Sequence, residues 1–191
     1  ITEKSLRVYP RGTVASHIVG YLGRITADNR AYYDERKYDI ESLVGVSGIE
    51  SVMEAELTGS SGERIGQRVV QVTSGGRIIK ELSYIGAKSG NNVYLTIDNN
   101  LQRVAEEALR KNIAEIEQRQ LSEYNSKINY YRNLVAERGG KEIQFATVGA
   151  VVVMDVTDGD VLALVSEPNY DPNLFSQGIS QSDLDAIVNN D

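Results

Sequence analysis

The sequence contains no cysteine and only one histidine, and each shortage argues against a class of site. Without cysteine there are no disulfide bonds and no thiolate ligands for a metal ion. A single histidine further argues against a zinc enzyme, because catalytic zinc usually needs several nitrogen or sulfur ligands. We therefore expect neither a metal nor a cofactor. The absence of cysteine does not indicate where the protein is located, since cytoplasmic and extracellular proteins can both lack cysteine.

Long apolar runs and an excess of basic charge are also missing. No stretch of about 18 apolar residues is present, so the sequence predicts no membrane-spanning helix. The formal net charge of -7 argues against a nucleic-acid-binding surface and against a general anionic-membrane surface. With 191 residues, of which 41% are hydrophobic and 25% charged, the chain has the composition of one ordinary globular domain or two small ones.

The strongest pattern is an apolar hairpin towards the C-terminal end. Residues 148–156 are almost continuously β-branched, which is typical of a strand covered on both faces. Asp158 and Gly159 tolerate positive φ and predict a tight turn into a second strand over residues 161–166. The prolines within residues 167–173 then end the sheet, because proline cannot donate to a ladder. A lone hairpin is only marginally stable, so we expect these strands to open a larger sheet.

The first hundred residues predict short elements. We expect a strand and turn over 1–12, a helix over 15–22, a helix or loop over 28–37, a hairpin of 66–73 with 77–85, and a further strand over 92–97. His17 falls in the first of these helices, which Gly20 should help to end. A lone histidine is more often a hydrogen-bonded structural group than a base or a metal ligand, and we interpret His17 in that way.

Residues 47–59 have the features of a capped helix. Ser47 followed by Glu50 fits a capping box, in which the two side chains satisfy unpaired backbone amides. The expected apolar face consists of Ile49, Val52, Met53 and Leu57, with Gly59 as the stop. Glu50 has a second interpretation, an ion pair with an arginine of the first strand such as Arg7.

A long helix should follow a cap at Asp98 or Asn99. Apolar residues at 101, 104, 105, 108, 109, 113 and 116 form one predicted face, and the pattern resumes at Tyr124 until Gly139 and Gly140. Unbroken, such a helix would extend roughly 60 Å, longer than a small domain. We therefore expect a break or bend around residues 118–125.

Two short motifs resemble functional sites. Residues 88–91, Lys-Ser-Gly-Asn, match motifs of penicillin-recognising serine enzymes, but in those enzymes the motifs are separate and follow the nucleophile. No serine in this sequence has lysine three residues later, so we interpret residues 88–91 as a turn. Asp155, Asp158 and Asp160 do not have the spacing of a calcium-binding EF-hand loop, and a turn is favoured there as well.

Five sequence blocks occur in a fixed order along the chain. They are residues 7–12 with 15–23, 45–50, 95–98 with 101–102, 149–152 with 159–163, and 168–173. Taken together, they resemble the class B high-molecular-weight penicillin-binding proteins, which are membrane-anchored, extracytoplasmic D,D-transpeptidases that cross-link peptidoglycan. The resemblance implies no catalytic, cofactor-binding or metal-binding residue in this chain. The structural motif residues that it implies are Arg7, Pro10, Gly12, His17, Gly20, Gly45, Gly48, Glu50, Asp98, Asp171 and Asn173.

The resemblance also implies an α+β fold in two parts. Residues 1–90 would be the pedestal, or dimerisation domain, with antiparallel β-strands and a short capped helix, and without the first strand block of the family at its N-terminal end. Residues 91–191 would begin the transpeptidase domain, with a long helix packed on a β-hairpin that starts an antiparallel sheet. This part would stop before the catalytic serine and its Ser-x-x-Lys motif.

The expected function is that of a non-catalytic pedestal. It would position the catalytic domain and bind cell-wall synthesis and morphogenesis proteins, a membrane glycosyltransferase among them, and it would reach the membrane only through a segment absent from this chain. With the later strands of the sheet absent, the apolar strand over residues 148–156 would have an uncovered edge and face, and we expect such a chain to form a homodimer even where the intact protein is a monomer. The alternative is a self-contained extracellular binding module or sensor ectodomain with no enzyme downstream.

Overall fold

The computed structural model describes residues 7–59, 64, 66–176 and 178–188. The chain divides into two compact units. Unit 1 comprises the described residues within Ile1–Tyr9, Ile18–Leu95 and Pro172–Gly178, and unit 2 comprises those within Pro10–His17, Thr96–Asp171 and Ile179–Asp191. Antiparallel strand pairs combined with helices confirm the α+β class. The predicted division at residues 90 and 91 stays a prediction.

The elements are short except for one helix. In chain order they are α1 (Ser16–Val19), β1 (Leu22–Arg24), α2 (Arg30–Glu35), β2 (Leu43–Gly45), α3 (Gly48–Val52), α4 (Glu54–Leu57), β3 (Gln67–Val72), β4 (Ile78–Ile85), α5 (Asn99–Ser126), α6 (Ile128–Glu137), β5 (Gly149–Met154), β6 (Val161–Glu167), α7 (Asn173–Ser176) and α8 (Gln181–Val188). None of the described helices is both long enough and apolar enough to cross a membrane.

Unit 1 has a small aromatic core beside a two-stranded sheet. Strand β1 pairs antiparallel with β2, and Leu22 lies opposite Gly45. Tyr33, Tyr38 and Val44 form the buried cluster, with Ile25 packed against it. Because this core is small, polar contacts have a large share in fixing the conformation of the unit.

The hairpin predicted for residues 66–85 is confirmed. Strand β3 pairs antiparallel with β4, and Gln67 lies opposite Ile85. The strand predicted over residues 92–97 is wrong, because no part of that range is a strand. Within this range Thr96 contacts β6 through its side chain, with Oγ1 donating to the Val161 carbonyl at 2.7 Å, and not through a backbone ladder.

In unit 2, the long helix lies on a β-hairpin. Strands β5 and β6 are antiparallel, with Val152 opposite Leu164, and α5 packs against both. A Cβ atom at Gly149 would lie 2.9 Å from Leu109 Cδ1, so glycine allows the helix to approach closely. The opposite face of β5 is exposed in this chain, with Val152 56% and Met154 53% exposed. The larger sheet that would cover it stays a prediction.

The N-terminal cap of α5 is confirmed. Asp98 Oδ1 accepts the amide hydrogens of Asn100 and Leu101, each at 2.8 Å. The helix breaks at Lys127, two residues beyond the range predicted for the break, and α6 ends at Glu137 ahead of Gly139 and Gly140 as predicted.

Two other predictions for the helices and the first strand need correction. Helix α1 has four residues, and Leu22 begins a strand instead of ending a helix. The chain turns at Gly20, which has a φ of +80° and lies so close to Ser47 that a side chain there would overlap the Ser47 carbonyl. Of the strand predicted over 1–12, residues 1–6 lie outside the described residues, 7–9 form no strand, and a turn begins at Pro10.

Candidate functional site

The predicted motif residues fall into two groups, one in each unit. Those of unit 1 are Arg7, Gly20, Gly45, Gly48, Glu50 and Asn173. Those of unit 2 are Pro10, Gly12, His17, Asp98 and Asp171. Their family roles stay predictions, and the geometry of each group is given separately below.

The centre of the first group is a part-buried ion pair, in which the Glu50 side chain is buried and that of Arg7 is 35% exposed. Glu50 is only 4% exposed, and its carboxylate faces the Arg7 guanidinium through two contacts. Arg7 Nε lies 3.0 Å from Oε1, and Arg7 Nη2 lies 3.1 Å from Oε2. A charge-assisted hydrogen bond beside a second close contact between the charged groups fixes direction as well as distance. The pairing that was one of two interpretations of Glu50 is therefore present.

The capping box is wrong. Ser47 is the N-cap residue of α3, but its side chain makes no capping hydrogen bond, and its Oγ is buried without a partner among the described residues. Glu50 turns to Arg7 instead of back to the cap, because a bidentate contact with a guanidinium is stronger than a bond to one neutral amide. The predicted apolar face is also wrong, since Val52 is 76% exposed and the helix is interrupted at Met53.

Glu54 is a buried residue that the sequence analysis missed. It is 9% exposed, and its Oε2 accepts the amide hydrogen of Gly45 at 2.7 Å. Glu50 and Glu54 are four residues apart, so they project from the same side of a helical segment. This spacing was the available signal, but acidic residues are normally solvent-exposed. The buried side of α3 and α4 is thus acidic, and it binds Arg7 and β2.

Glycines allow α3 to lie against its neighbours. A Cβ atom at Gly45 would overlap the backbone carbonyl of Glu50. Gly48 has a φ of +58°, and a side chain there would lie 2.7 Å from the amide nitrogen of Gly20. Because neither glycine has a side chain, the backbone of α3 can lie directly against the backbone of Gly45 and of the segment that precedes β1.

Asn173 binds the backbone of Tyr9 on both sides. Its Oδ1 accepts the Tyr9 amide hydrogen at 2.8 Å, and its Nδ2 donates to the Tyr9 carbonyl at 2.9 Å. The Asn173 side chain thus bonds both the amide and the carbonyl of Tyr9, as the backbone of a neighbouring strand would. Nearby, Phe175 stacks on Tyr21 with a centroid distance of 4.0 Å. The described residues within 172–178 are therefore an integral part of unit 1.

In unit 2, Pro10 and Gly12 lie in a turn, His17 lies in α1 directly after it, Asp171 lies in a loop, and Asp98 caps α5. His17 Nε2 lies 3.0 Å from the Pro168 carbonyl oxygen, and the imidazole contacts the Tyr170 ring edge-to-face. The Tyr170 hydroxyl donates to the Ser16 carbonyl at 3.2 Å. These contacts support a structural role for the histidine. In the same turn Gly12 has a φ of +56°, and a Cβ atom there would lie 3.9 Å from Asp171 Oδ2.

A buried polar row on α5 is the second feature that the sequence analysis missed. Gln102, only 1% exposed, accepts the Leu164 amide hydrogen at 2.9 Å and donates to the Leu164 carbonyl at 3.0 Å. It also donates to Glu106 at 2.7 Å, and Glu106 accepts the amide hydrogen of Ala15 at 2.8 Å. The predicted face of α5 was therefore misplaced, and predicted Val104 is 52% exposed.

The aspartates of the β5–β6 turn bind amides within the turn. Asp155 Oδ1 accepts from Thr157 at 2.8 Å, which holds the pKa of Asp155 below its ordinary value. Asp158 Oδ1 accepts from the amide of Asp160 at 3.0 Å. These are local turn contacts of the kind that aspartate commonly makes, and they favour the turn interpretation over a calcium loop.

The environment of Glu50 changes its acidity. Burial raises the pKa of the Glu50 carboxyl above its ordinary value, and the Arg7 charge offsets this only in part. Between the unfolded-state and folded-state pKa values, the folded protein then binds more protons than the unfolded chain. The free energy of unfolding therefore falls as the pH rises through that range, which begins near about 4.3.

We expect the variant Glu50→Gln to reveal this titration. The stability of the wild type relative to the variant should decrease as the pH rises above about 4.3, because the variant has no carboxyl to ionise. Thermal unfolding of both proteins over a pH series measures the difference. Glu41→Gln, which alters an exposed carboxylate, controls for general effects of charge removal. A difference that stays constant or grows with pH would contradict the expectation.

Comparison with known proteins gives consistent matches. Residues 1–95 match the family described as the penicillin-binding protein dimerisation domain. The peptidoglycan D,D-transpeptidase MrdA of Escherichia coli K12 is 32% identical over 187 residues, which are 96% of this chain and 23% of MrdA. The chain thus spans less than a quarter of the length of this curated relative.

Solved structures match over the same extent. One, described as "Structural coordination of polymerization and crosslinking by a peptidoglycan synthase complex", is 29% identical with a TM-score of 0.64, over 95% of this chain and 27% of that one. The Helicobacter pylori penicillin-binding protein PBP2 in complex with MreC is 23% identical with a TM-score of 0.60, over 96% of this chain and 26% of that one. The second likeness shows the fold alone.

Proposed function

We propose a function from the premise that this chain belongs to the penicillin-binding proteins and carries their dimerisation domain over residues 1–95. The chain acts as the pedestal of a peptidoglycan D,D-transpeptidase and positions its catalytic part. One observation supports this most: the similarity to MrdA extends over 96% of the chain, through the dimerisation domain and the residues after it. The relatives give no support to the alternative of a sensor ectodomain.

In this proposal, residues 1–90 are the pedestal and residues 91–191 begin the transpeptidase domain. The end of the family match at residue 95 supports a division near this place. The long helix on an antiparallel hairpin fits the expected start of a catalytic sheet. The motif residues then have structural roles, as Arg7, Glu50 and Asn173 illustrate, and they hold the pedestal in one conformation.

We further propose that the pedestal binds other proteins of cell-wall synthesis and morphogenesis, a membrane glycosyltransferase among them. A relative at 29% identity belongs to a peptidoglycan synthase complex that coordinates polymerization with crosslinking. The chain would work on the outer side of the cell membrane, to which the full-length protein would be anchored. These assignments extend what is known of the relatives to this chain.

A binding experiment with purified proteins tests the pedestal role. The chain is titrated onto the detergent-solubilised glycosyltransferase of its own organism, and we expect saturable binding. Gly45→Ala, which disrupts unit 1 by overlap with Glu50, should abolish binding, and Gly75→Ala, where the nearest atom to a new Cβ is 3.8 Å away, should not. No binding, or equal binding by all three proteins, would contradict the proposal.

The chemistry of the full-length enzyme would be that of a serine acyl-transferase. A serine activated by a lysine three residues later attacks the substrate carbonyl and forms an acyl-enzyme. No serine of this chain has that lysine. We therefore expect no covalent adduct when the chain is incubated with a labelled penicillin and its intact mass is measured, while full-length MrdA gives one. A stoichiometric adduct on this chain would contradict the proposal.

A further inference from the structure

The turn before α1 contains a strained residue that is not glycine. Ala15 has a φ of +57°, in the left-handed region, and among the described residues other than glycine only Lys37 also has a positive φ. A side chain at positive φ costs energy, so surrounding contacts must hold the residue there. One such contact comes from α5: the Ala15 amide donates to Glu106 Oε1 at 2.8 Å, and Glu106 is only 5% exposed. The buried carboxylate therefore stabilises a conformation that alanine disfavours.

This turn is held by polar contacts and not by apolar packing. Within residues 10–17, all of which the structure describes, the one buried residue is Ser16, and each apolar side chain is partly or fully exposed. The Ser16 carbonyl accepts the Tyr170 hydroxyl hydrogen at 3.2 Å, and the Ser16 hydroxyl oxygen lies 3.5 Å from the Tyr170 amide. His17 contacts the Pro168 carbonyl. Segments with little buried apolar surface open locally at a low cost in free energy.

The loop that the turn contacts, residues 168–171, is fixed at its start by a second buried carboxylate. Glu167, at the end of β6, is 9% exposed and pairs with Arg110 of α5 at 3.0 Å. It also accepts the amide hydrogen of Asn169 at 3.2 Å. Tyr170 comes directly after this anchored part, and its hydroxyl binds Ser16 of the turn. The second half of the loop therefore takes part of its support from the turn.

We propose that residues 10–17 form a latch on unit 2 that opens and closes, and that Glu106 holds the latch closed against the strain at Ala15. The closed latch fixes Tyr170 and, with it, the second half of the loop. Opening relieves the strain at Ala15 and releases the loop.

The regulatory meaning of the latch rests on the proposed function. The latch lies within the dimerisation-domain match over residues 1–95, whereas the loop follows β6 in the proposed transpeptidase part. A protein that binds the pedestal and displaces the latch would thereby release the segment through which the chain leaves the β5–β6 sheet. Differential affinity for the open and closed states is all that such regulation requires.

Native-state hydrogen exchange of the 191-residue chain, followed by NMR and corrected for intrinsic exchange rates, tests the latch. The Ser16 amide, which donates to the Thr13 carbonyl, reports on the turn, and the Tyr170 amide reports on the loop. In Ala15→Gly the strain is removed, so both amides should exchange about threefold more slowly than in the wild type. Ala27→Gly, in an exposed turn without positive φ, is the matched control and should leave both rates unchanged.

Substitutions of Glu106 test the group that closes the latch. Glu106→Met removes the acceptor at a similar side-chain size, and the Ser16 and Tyr170 amides should then exchange at least about tenfold faster. Glu106→Gln keeps an acceptor oxygen and should have a smaller effect. Adding Ala15→Gly to Glu106→Met should restore part of the protection, because the unstrained turn needs less support. Circular dichroism establishes that the variants are folded, and Ala15→Gly decides the question alone if Glu106→Met is not.

Three outcomes would overturn the inference. The first is wild-type Ser16 and Tyr170 amides that exchange only through global unfolding, at the same opening free energy as the Asp155 amide of the β5–β6 turn. The second is unchanged exchange in Ala15→Gly. The third is a change at Ser16 without one at Tyr170, which would show that the turn does not hold the loop. The experiment uses no partner protein, so its failure is distinct from a failure of the pedestal proposal.

Discussion

Replacing Gly45 by alanine should lower the unfolding free energy of unit 1 by about 3 kcal/mol or more. The new Cβ atom would overlap the Glu50 carbonyl, which belongs to the backbone and cannot move without displacing α3. Displacing α3 would in turn disturb the Arg7–Glu50 pair and the bond between Glu54 and the Gly45 amide. Strain and the loss of these contacts act together, so the effect exceeds that of an ordinary surface substitution.

Thermal unfolding measures this effect, with Gly75→Ala as the matched control. A Cβ atom at Gly75 would have Thr73 Oγ1 as its nearest neighbour, at 3.8 Å, which is ordinary contact. For a unit of about 60–100 residues, 3 kcal/mol corresponds to a fall of roughly 12 °C or more in the unfolding temperature. Equal unfolding temperatures for the two variants would show that α3 can move away from β2 at little cost.

Replacing Gln102 by leucine should destabilise unit 2 by about 3 kcal/mol. Leucine has a similar size, so the main loss is polar. The amide and carbonyl of Leu164 and the carboxylate of Glu106 would each lose a partner in a place where Gln102 is only 1% exposed. An unpaired buried polar group costs more than a typical hydrogen bond contributes.

Chemical denaturation of the variant, with Gln118→Leu as control, measures the loss. Gln118 lies on the same helix at an exposed position, so the control has the same change in composition without the buried contacts. Hydrogen exchange at the Leu164 amide supplies a local readout. This amide should exchange faster in Gln102→Leu than in the wild type, and at the wild-type rate in Gln118→Leu. Equal stability of the two variants would mean that water replaces the glutamine without cost.

The sequence was sufficient where local chemistry decides the structure. The two hairpins follow from runs of β-branched residues on either side of glycine-containing turns, and the cap at Asp98 follows from a side chain that binds amides two and three residues away. The end of α6 before Gly139 is also decided by local chemistry, since glycine commonly ends a helix. Each of these features depends on neighbours within a few positions.

The sequence was insufficient where distant partners decide which side of a helix is buried. The sequence offered the pair of Glu50 with Arg7, 43 positions away, only beside the capping box, and it did not indicate that this pair reverses the expected burial of polar and apolar residues in α3. Gln102 is buried for a similar reason, since the backbone it binds is 62 positions away. Hydrophobic periodicity assigns burial to apolar residues and cannot identify a polar group that replaces a strand.

The contact between Asn173 and Tyr9 joins residues 164 positions apart within one unit. During synthesis on the ribosome the chain emerges from its N-terminal end, so the last segment of unit 1 becomes available only after all of α5, β5 and β6 have been made. Unit 1 therefore reaches its final conformation only after translation has passed residue 178. Until that point, the amide and carbonyl of Tyr9 lack the two hydrogen bonds that Asn173 supplies.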